Sequence, residues 1–112
     1  MGHPTQATFY FDFISPYAYL LWHRLQNLTP EQSSRLDLSY RPVLFAGLLD
    51  HWGQKGPAEI EAKRTHTYRQ TYSMAEQFSI PFKMPDAHPF NPLSALRLAL
   101  AADNTREAID SI

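Results

Sequence analysis

The 112-residue sequence contains no cysteine, and this absence removes several kinds of chemistry. Without thiols there is no disulfide framework, no thiolate zinc site and no cysteine nucleophile. The chain also lacks the run of about 20 apolar residues that a membrane span requires. Its first residues lack the basic start and apolar stretch of a secretion signal. These absences predict a soluble, cytoplasmic protein with no membrane partner.

An excess of charge of one sign is also missing. Ten Lys and Arg stand against 11 Asp and Glu, which gives a formal net charge of -1. Neither half of the chain is basic, so we expect no nucleic-acid partner, because binding to a phosphate backbone relies on clustered positive charge. The five histidines show no pair at the spacing of a metal site on one helix face, so no metal is expected.

What the sequence does contain is an aromatic strand that leads into a helix. Residues 7–13 alternate, with three phenylalanines on one face, and this period of two is typical of a strand. Ser15 followed by Pro16 is a helix-start signal, because the serine oxygen caps a free N–H and proline lacks one. Apolar residues then recur at helical spacing, which predicts a helix to about Asn27.

A second strand follows the helix. Residues 29–32 have the form of a capping box and predict a short helical turn. Residues 36–41 alternate between apolar and polar side chains, which predicts a strand that ends at Pro42. Strand, helix and strand make a βαβ unit with a right-handed crossover. The predicted fold is therefore α/β, and residues 1–45 form its N-terminal βαβ part.

The remainder, residues 46–112, predicts a helical insertion. Gly56-Pro57 starts a helix that lasts to about Phe78, and residues 81–89 are a proline-rich connector. Asn91-Pro92 starts the next helix, and residues 103–105 start another. Two parallel strands alone make a poor sheet, and the chain stops about two turns into a helix. We therefore expect a fragment, truncated before further strands.

Ser15 is the first candidate for chemistry. It lies between the first strand and the first helix, where ligands bind in α/β sheets. Helix N–H groups and the helix dipole favour an anion there, such as a thiolate. A plain N-cap also explains Ser15, so both interpretations stay open. Asp12 and Asp50 are too distant in sequence for a catalytic pair, and solvated roles are expected for both.

Other residues are candidates for binding, but each could also have a purely structural role. Lys63, Arg64 and Arg69 share the predicted long helix and could clamp a carboxylate, or simply form its solvated face. Three aromatic residues near the first helix and the following loop could form an apolar substrate pocket, or belong to the core. These are Tyr17, Phe45 and Trp52.

The order of these motifs resembles a known group of proteins. Residues 9–20, FYFDFISPYAYL, resemble the opening of the 2-hydroxychromene-2-carboxylate isomerases, which belong with the kappa-class glutathione transferases and the DsbA-like branch of the thioredoxin fold. Further matching segments follow in the same order along nearly the whole chain. They are residues 41–44, 56–57, 80–82 and 89–93.

The resemblance implies a glutathione-dependent enzyme with a small aromatic substrate. It implies that Ser15 donates a hydrogen bond to the glutathione sulfur, while Lys63 and Gln54 bind the glutathione backbone, Gln54 standing where the family has asparagine. The implied reaction is a cis–trans isomerisation through reversible glutathione addition, a step of aromatic catabolism. A cis-proline, two strands and a helix are implied beyond Ile112.

Two alternatives to the isomerase remain open. A kappa-type glutathione transferase or peroxidase shares its chemistry, and a non-catalytic, truncated half-domain belongs to a different class. A homodimer is also left open. A thiol–disulfide oxidoreductase is nearly excluded, because these residues include no cysteine that could exchange.

Overall fold

The computed structural model describes residues 2–112 and shows a mixed α/β arrangement. The described residues form two strands, six α-helices and one short 3₁₀ helix. In chain order these are β1 (Thr5–Phe11), α1 (Pro16–Gln26), α2 (Pro30–Ser34), β2 (Leu36–Pro42), α3 (Phe45–His51), the 3₁₀ helix (Pro57–Glu59), α4 (Glu61–Gln77), α5 (Leu93–Ala101) and α6 (Arg106–Ser111).

The two strands are parallel neighbours, as the βαβ prediction requires. Thr5 lies opposite Leu36, and Phe11 lies opposite Pro42. β1 ends two residues earlier than the sequence predicted, because Asp12 leaves the strand and its carboxylate accepts the N–H of Ile14 at 3.2 Å. A side chain that binds the backbone two residues ahead closes a turn and stops the ladder.

The first core cluster joins the sheet to α1, α5 and α6. Its buried members are Phe11, Trp22, Ala99 and Ile109. Three half-buried aromatics pack against it, namely Phe9 on β1, Phe13 just beyond β1 and Tyr40 on β2. The predicted common face is therefore confirmed for Phe9 and Phe11, while Phe13 lies beyond the end of β1 and still packs against the same core.

A second core cluster lies on the other side of α1. It contains Leu20, Ala75 and Ile80, which links α1 to α4 and to the chain just beyond it. Leu20 is 2 % exposed, and burial of a leucine side chain is worth about 1.5–3 kcal/mol. Helix α1 is thus packed on two faces, and its N-terminus is held in a fixed position.

The predicted helix starts are confirmed at three caps. Ser15, Thr29 and Thr105 each accept a hydrogen bond from the backbone N–H three residues ahead. The long helix differs from the prediction, because Ile60 is extended at φ -117° and ψ 113° and separates the 3₁₀ helix from α4. Helix α3 was not predicted, since its apolar residues show no periodicity in the sequence.

Helices beyond residue 45 contribute to the same core as the sheet, through Ala99 and Ile109. The proposed division into residues 1–45 and 46–112 stays a prediction. Within residues 2–112, none of the helices combines the length and the apolarity that crossing a bilayer requires.

Candidate functional site

Ser15 is the N-cap of α1, and its geometry leaves the hydroxyl hydrogen free to act. Its Oγ accepts a hydrogen bond from the Ala18 N–H at 3.2 Å. A serine hydroxyl has two acceptor lone pairs and one donor hydrogen, so the cap uses only an acceptor. The structural role and the predicted ligand role of Ser15 are therefore compatible.

The backbone around Ser15 is suited to an anion. The first N–H groups of a helix have no carbonyl partner inside the helix, and Tyr17 carries such an N–H. Pro16 has no N–H, and the Ala18 N–H is already used by Ser15. The positive end of the α1 dipole adds a further attraction for negative charge at this position.

Asp12 lies beneath this turn, and its placement corrects a prediction. The sequence indicated a solvated carboxylate, but Asp12 is 5 % exposed. Its Oδ1 accepts the Ile14 N–H at 3.2 Å, and its Oδ2 accepts the Phe45 N–H at 2.8 Å. Burial is tolerated because both oxygens are hydrogen-bonded. Asp50, by contrast, is exposed, as expected.

Two cavities meet at Ser15. The sheet-side cavity, of about 450 Å³, lies between the end of β1, α1 and α6. The connector-side cavity, of about 520 Å³, lies between the Ser15 turn and residues 81–90. Four residues line both cavities, namely Phe13, Ser15, Tyr19 and Phe90. The Ser15 hydroxyl and the Tyr19 phenol are thus the polar side-chain groups that the two cavities share.

The charged groups differ between the two cavities. Asp12 and Asp110 line the sheet-side cavity, whereas Lys83 lines the connector-side cavity. The Asp110 carboxylate accepts the indole N–H of Trp22 at 3.0 Å, which holds it at the cavity wall. The connector-side cavity therefore presents the more favourable charge to an anionic ligand.

Tyr19 borders both cavities and its hydroxyl donates to the Pro81 carbonyl. Its ring packs against His23, with centroids 4.5 Å apart, and against Phe82 at 5.7 Å. Burial, and secondarily the negative charge of Asp110, raise the pKa of the Tyr19 phenol above its ordinary value of 10.0. Tyr19 is thus a neutral hydrogen-bonding wall of the site at neutral pH.

We predict that Tyr19→Phe removes a pH-dependent part of the stability. Because the folded state raises the pKa of this phenol, the stabilisation is fully present below the ordinary value of 10.0 and is lost as pH rises through the folded pKa. Urea unfolding on both sides of that value should show a steeper loss in the parent than in Tyr19→Phe. An equal pH dependence of the free energy of unfolding in the two proteins would contradict the raised pKa of Tyr19.

His88 is a site residue that the sequence did not reveal. Its Nε2 lies 2.8 Å from the carbonyl oxygen of Ile14, and its Nδ1 lies 2.6 Å from the hydroxyl of Tyr68. It lines the connector-side cavity with Ser15. Since His88 lies 73 positions after Ser15 in the chain, no local pattern could have joined them.

The three aromatic residues of the predicted pocket do not gather around Ser15. The Tyr17 hydroxyl donates to Gln70 on α4, and Phe45 is 38 % exposed at the start of α3. Trp52 is 71 % exposed. None of the three lines either cavity beside Ser15. Their role in substrate binding stays a prediction.

The residues predicted to bind the glutathione backbone also lie outside the lining of the two cavities. Gln54 is exposed in the loop after α3, and Lys63 is exposed in the first turn of α4. Arg69 is exposed and Arg64 is half-buried on the same helix. Their predicted contacts remain untested. Among residues 2–112, no three metal-ligating side chains are grouped so that they could hold a metal ion.

The fold and this site define a class of protein. A parallel βαβ unit whose first helix begins at the candidate site, followed by a helical segment, is consistent with a thioredoxin-like fold. The family profile described as "DSBA-like thioredoxin domain" matches residues 6–110. The chain therefore belongs to the DsbA-like thioredoxin domain family.

The chain is also similar to an individual curated protein. "Glutathione s-transferase kappa 2" of Caenorhabditis elegans is 30 % identical over 79 residues, which are 69 % of this chain and 34 % of that protein. The chain thus matches about a third of the relative's length. No solved structure is significantly similar to the chain. The finer resemblance to the isomerases stays a prediction.

Proposed function

We propose that this chain carries the thiol-binding part of a glutathione-dependent enzyme. The observation that carries the proposal is Ser15, whose hydroxyl hydrogen is left free at the N-terminus of α1 and at the junction of two cavities. Such a donor, beside the Tyr17 N–H and the positive end of the α1 dipole, favours the anionic form of a thiol. The similarity to a protein named as a glutathione transferase supports glutathione as the thiol.

The size and chemistry of the site fit this co-substrate. The cavities, of about 450 and 520 Å³, lie within the range of about 300–1,000 Å³ typical of small-molecule sites. Bound glutathione would supply the sulfur nucleophile, which this cysteine-free chain lacks. Ser15 would donate to the sulfur, and Lys63 and Gln54 are the proposed contacts to the rest of the tripeptide.

The first candidate activity is that of a kappa-type glutathione transferase. The similarity to the relative from Caenorhabditis elegans favours it. In such a conjugation one C–S bond forms at an electrophilic carbon and a leaving group departs with the electron pair. The apolar walls of both cavities, which include Phe13 and Phe90, suit an aromatic substrate.

The second candidate activity is isomerisation of the 2-hydroxychromene-2-carboxylate type. The order of motifs from Phe9 to Leu93 favours it. That reaction requires a C–S bond to form and break again with rotation in between, so it has no net redox change. Lys83 at the connector-side cavity offers a positive charge to the substrate carboxylate.

One assay separates the two candidates. The parent protein is given glutathione with either a chlorodinitrobenzene or hydroxychromene carboxylate, and product formation is followed by absorbance. The transferase proposal predicts conjugation of the chlorodinitrobenzene above the rate without protein. If only hydroxychromene carboxylate is turned over, the activity is that of the isomerase. Lack of turnover of both, together with no bound thiolate, would contradict the glutathione proposal.

A further inference from the structure

The backbone N–H and carbonyl of Ile14, the residue immediately before Ser15, are both bound by side chains, one from Asp12 two residues earlier and one from the distant His88. The N–H of Ile14 donates to Asp12 Oδ1 at 3.2 Å. Its carbonyl oxygen lies 2.8 Å from Nε2 of His88, which is half-buried on the connector between α4 and α5. Backbone groups in turns more often face solvent, so the contact with His88 needs an explanation.

We propose that His88 is a positioning residue for the site, because its Nε2–H fixes the peptide unit between Ile14 and Ser15. The peptide unit is planar and trans, so the Ile14 carbonyl and the Ser15 N–H point in opposite directions. By holding the carbonyl, His88 sets the direction of the Ser15 N–H and the entry of the chain into α1. The effect on a bound thiolate rests on the proposed function, whereas the effect on the turn does not.

The contact with Ile14 determines which nitrogen of His88 carries the hydrogen, and Tyr68 on α4 contacts the other nitrogen. The Ile14 carbonyl can only accept, so Nε2 must be protonated. In the neutral ring Nδ1 is then an acceptor, and the Tyr68 hydroxyl at 2.6 Å donates to it. The same pairing of a ring nitrogen with an outer partner orients histidines in metal and catalytic sites.

The contact of Tyr68 with His88 and the contact of His88 with the Ile14 carbonyl together connect α4 to the site. Tyr68 stands on the helix that packs against α1 through the second core cluster. Its ring meets the His88 ring edge to face, with centroids 5.4 Å apart. The connector-side cavity is therefore lined by a histidine whose outer nitrogen is bound by a residue of α4.

The test compares two substitutions at the same position. His88→Gln keeps an N–H donor at about the reach of Nε2, and His88→Leu removes the donor but keeps an apolar side chain. The matched control is His66→Leu, at an exposed position on α4. The amides of Ile14 and Ala18 are followed by hydrogen exchange, because both donate to side chains of this turn.

We expect exchange of these two amides to rise about fivefold in His88→Leu, which corresponds to the loss of one ordinary hydrogen bond. Exchange in His88→Gln and in His66→Leu should stay near that of the parent. Nitrogen NMR of the parent should show His88 protonated at Nε2 and, when neutral, unprotonated at Nδ1, and Tyr68→Phe should weaken this preference. With glutathione present, the apparent pKa of the bound thiol should rise in His88→Leu and be restored in His88→Gln.

Opposite results would overturn the proposal. A neutral His88 that carries its hydrogen on Nδ1 is incompatible with the contact to Ile14. Unchanged amide exchange in a folded His88→Leu protein would show that the turn does not depend on this histidine. Because NMR and exchange need no glutathione, they decide the role of His88 even if the parent binds no thiolate and the proposed function fails.

Discussion

Asp12→Ala is expected to lower the free energy of unfolding by about 3 kcal/mol. The reason is that the substitution leaves two N–H groups, those of Ile14 and Phe45, without their acceptor. Asp12 itself is 5 % exposed, so water replaces it poorly. Chemical denaturation of the parent and the variant measures the difference. Asp12→Asn should lose less, because one carbonyl oxygen is retained.

The control for this prediction is Asp37→Ala, which removes the same charge from an exposed position on β2. It should change the free energy of unfolding by no more than about 0.5 kcal/mol. An equal loss from the two substitutions would mean that Asp12 contributes only charge. A small loss in Asp12→Ala would contradict the description of the buried carboxylate as the link between the Ser15 turn and α3.

Ser15→Ala is expected to reduce turnover with glutathione on the order of a hundredfold, the usual effect of removing one donor to a developing negative charge. The same substitution should cost about 1 kcal/mol of stability, because α1 loses its N-cap. The two effects are separable, since the first depends on the hydroxyl hydrogen and the second on the hydroxyl oxygen. Steady-state kinetics measures the first and denaturation the second.

Thr29→Ala is the matched control for the cap. Thr29 Oγ1 accepts the Gln32 N–H at 3.2 Å, the same length as the bond from Ala18 to Ser15. Helix α2 lines neither cavity beside Ser15. Thr29→Ala should therefore lose similar stability and keep parental turnover. If Ser15→Ala retained the turnover of Thr29→Ala, Ser15 would be a cap and nothing more.

The parts of the fold that follow from local chemistry could be predicted from the sequence. Serine or threonine followed by proline marks the starts of α1 and α2, and both caps are present. The alternation of the aromatic residues predicted that Phe9 and Phe11 share one face of β1, because neighbouring side chains of a strand point to opposite faces. The family resemblance extended these local patterns to the DsbA-like thioredoxin fold, which is confirmed.

The parts of the site that depend on distant contacts could not be predicted. Asp12 looked solvated, because its partner Phe45 lies 33 residues away and offers only a backbone N–H, which every residue but proline has. His88 lies in a proline-rich connector without periodicity, so nothing in the local sequence indicated its contact with Ile14. Helix α3 was missed because its short apolar segment lacks a clear period.

Position in the sequence is also a poor guide to which side chains line the cavities at Ser15. Trp52 and Phe45 follow β2 closely, but the turn into α3 leaves both side chains exposed and away from the lining of the cavities. The cavity walls come instead from residues 81–90 and from α6. These segments reach Ser15 only through tertiary packing, which a single sequence does not encode in any short motif.

The most direct test of the central claim is a glutathione titration at neutral pH, followed by the ultraviolet absorbance of the thiolate, for the parent and Ser15→Ala. The claim that Ser15 and the start of α1 hold a thiolate predicts a signal that saturates in the parent and is lost in Ser15→Ala. A parent protein that folds but gives no thiolate signal would contradict it. So would a signal that Ser15→Ala retains in full.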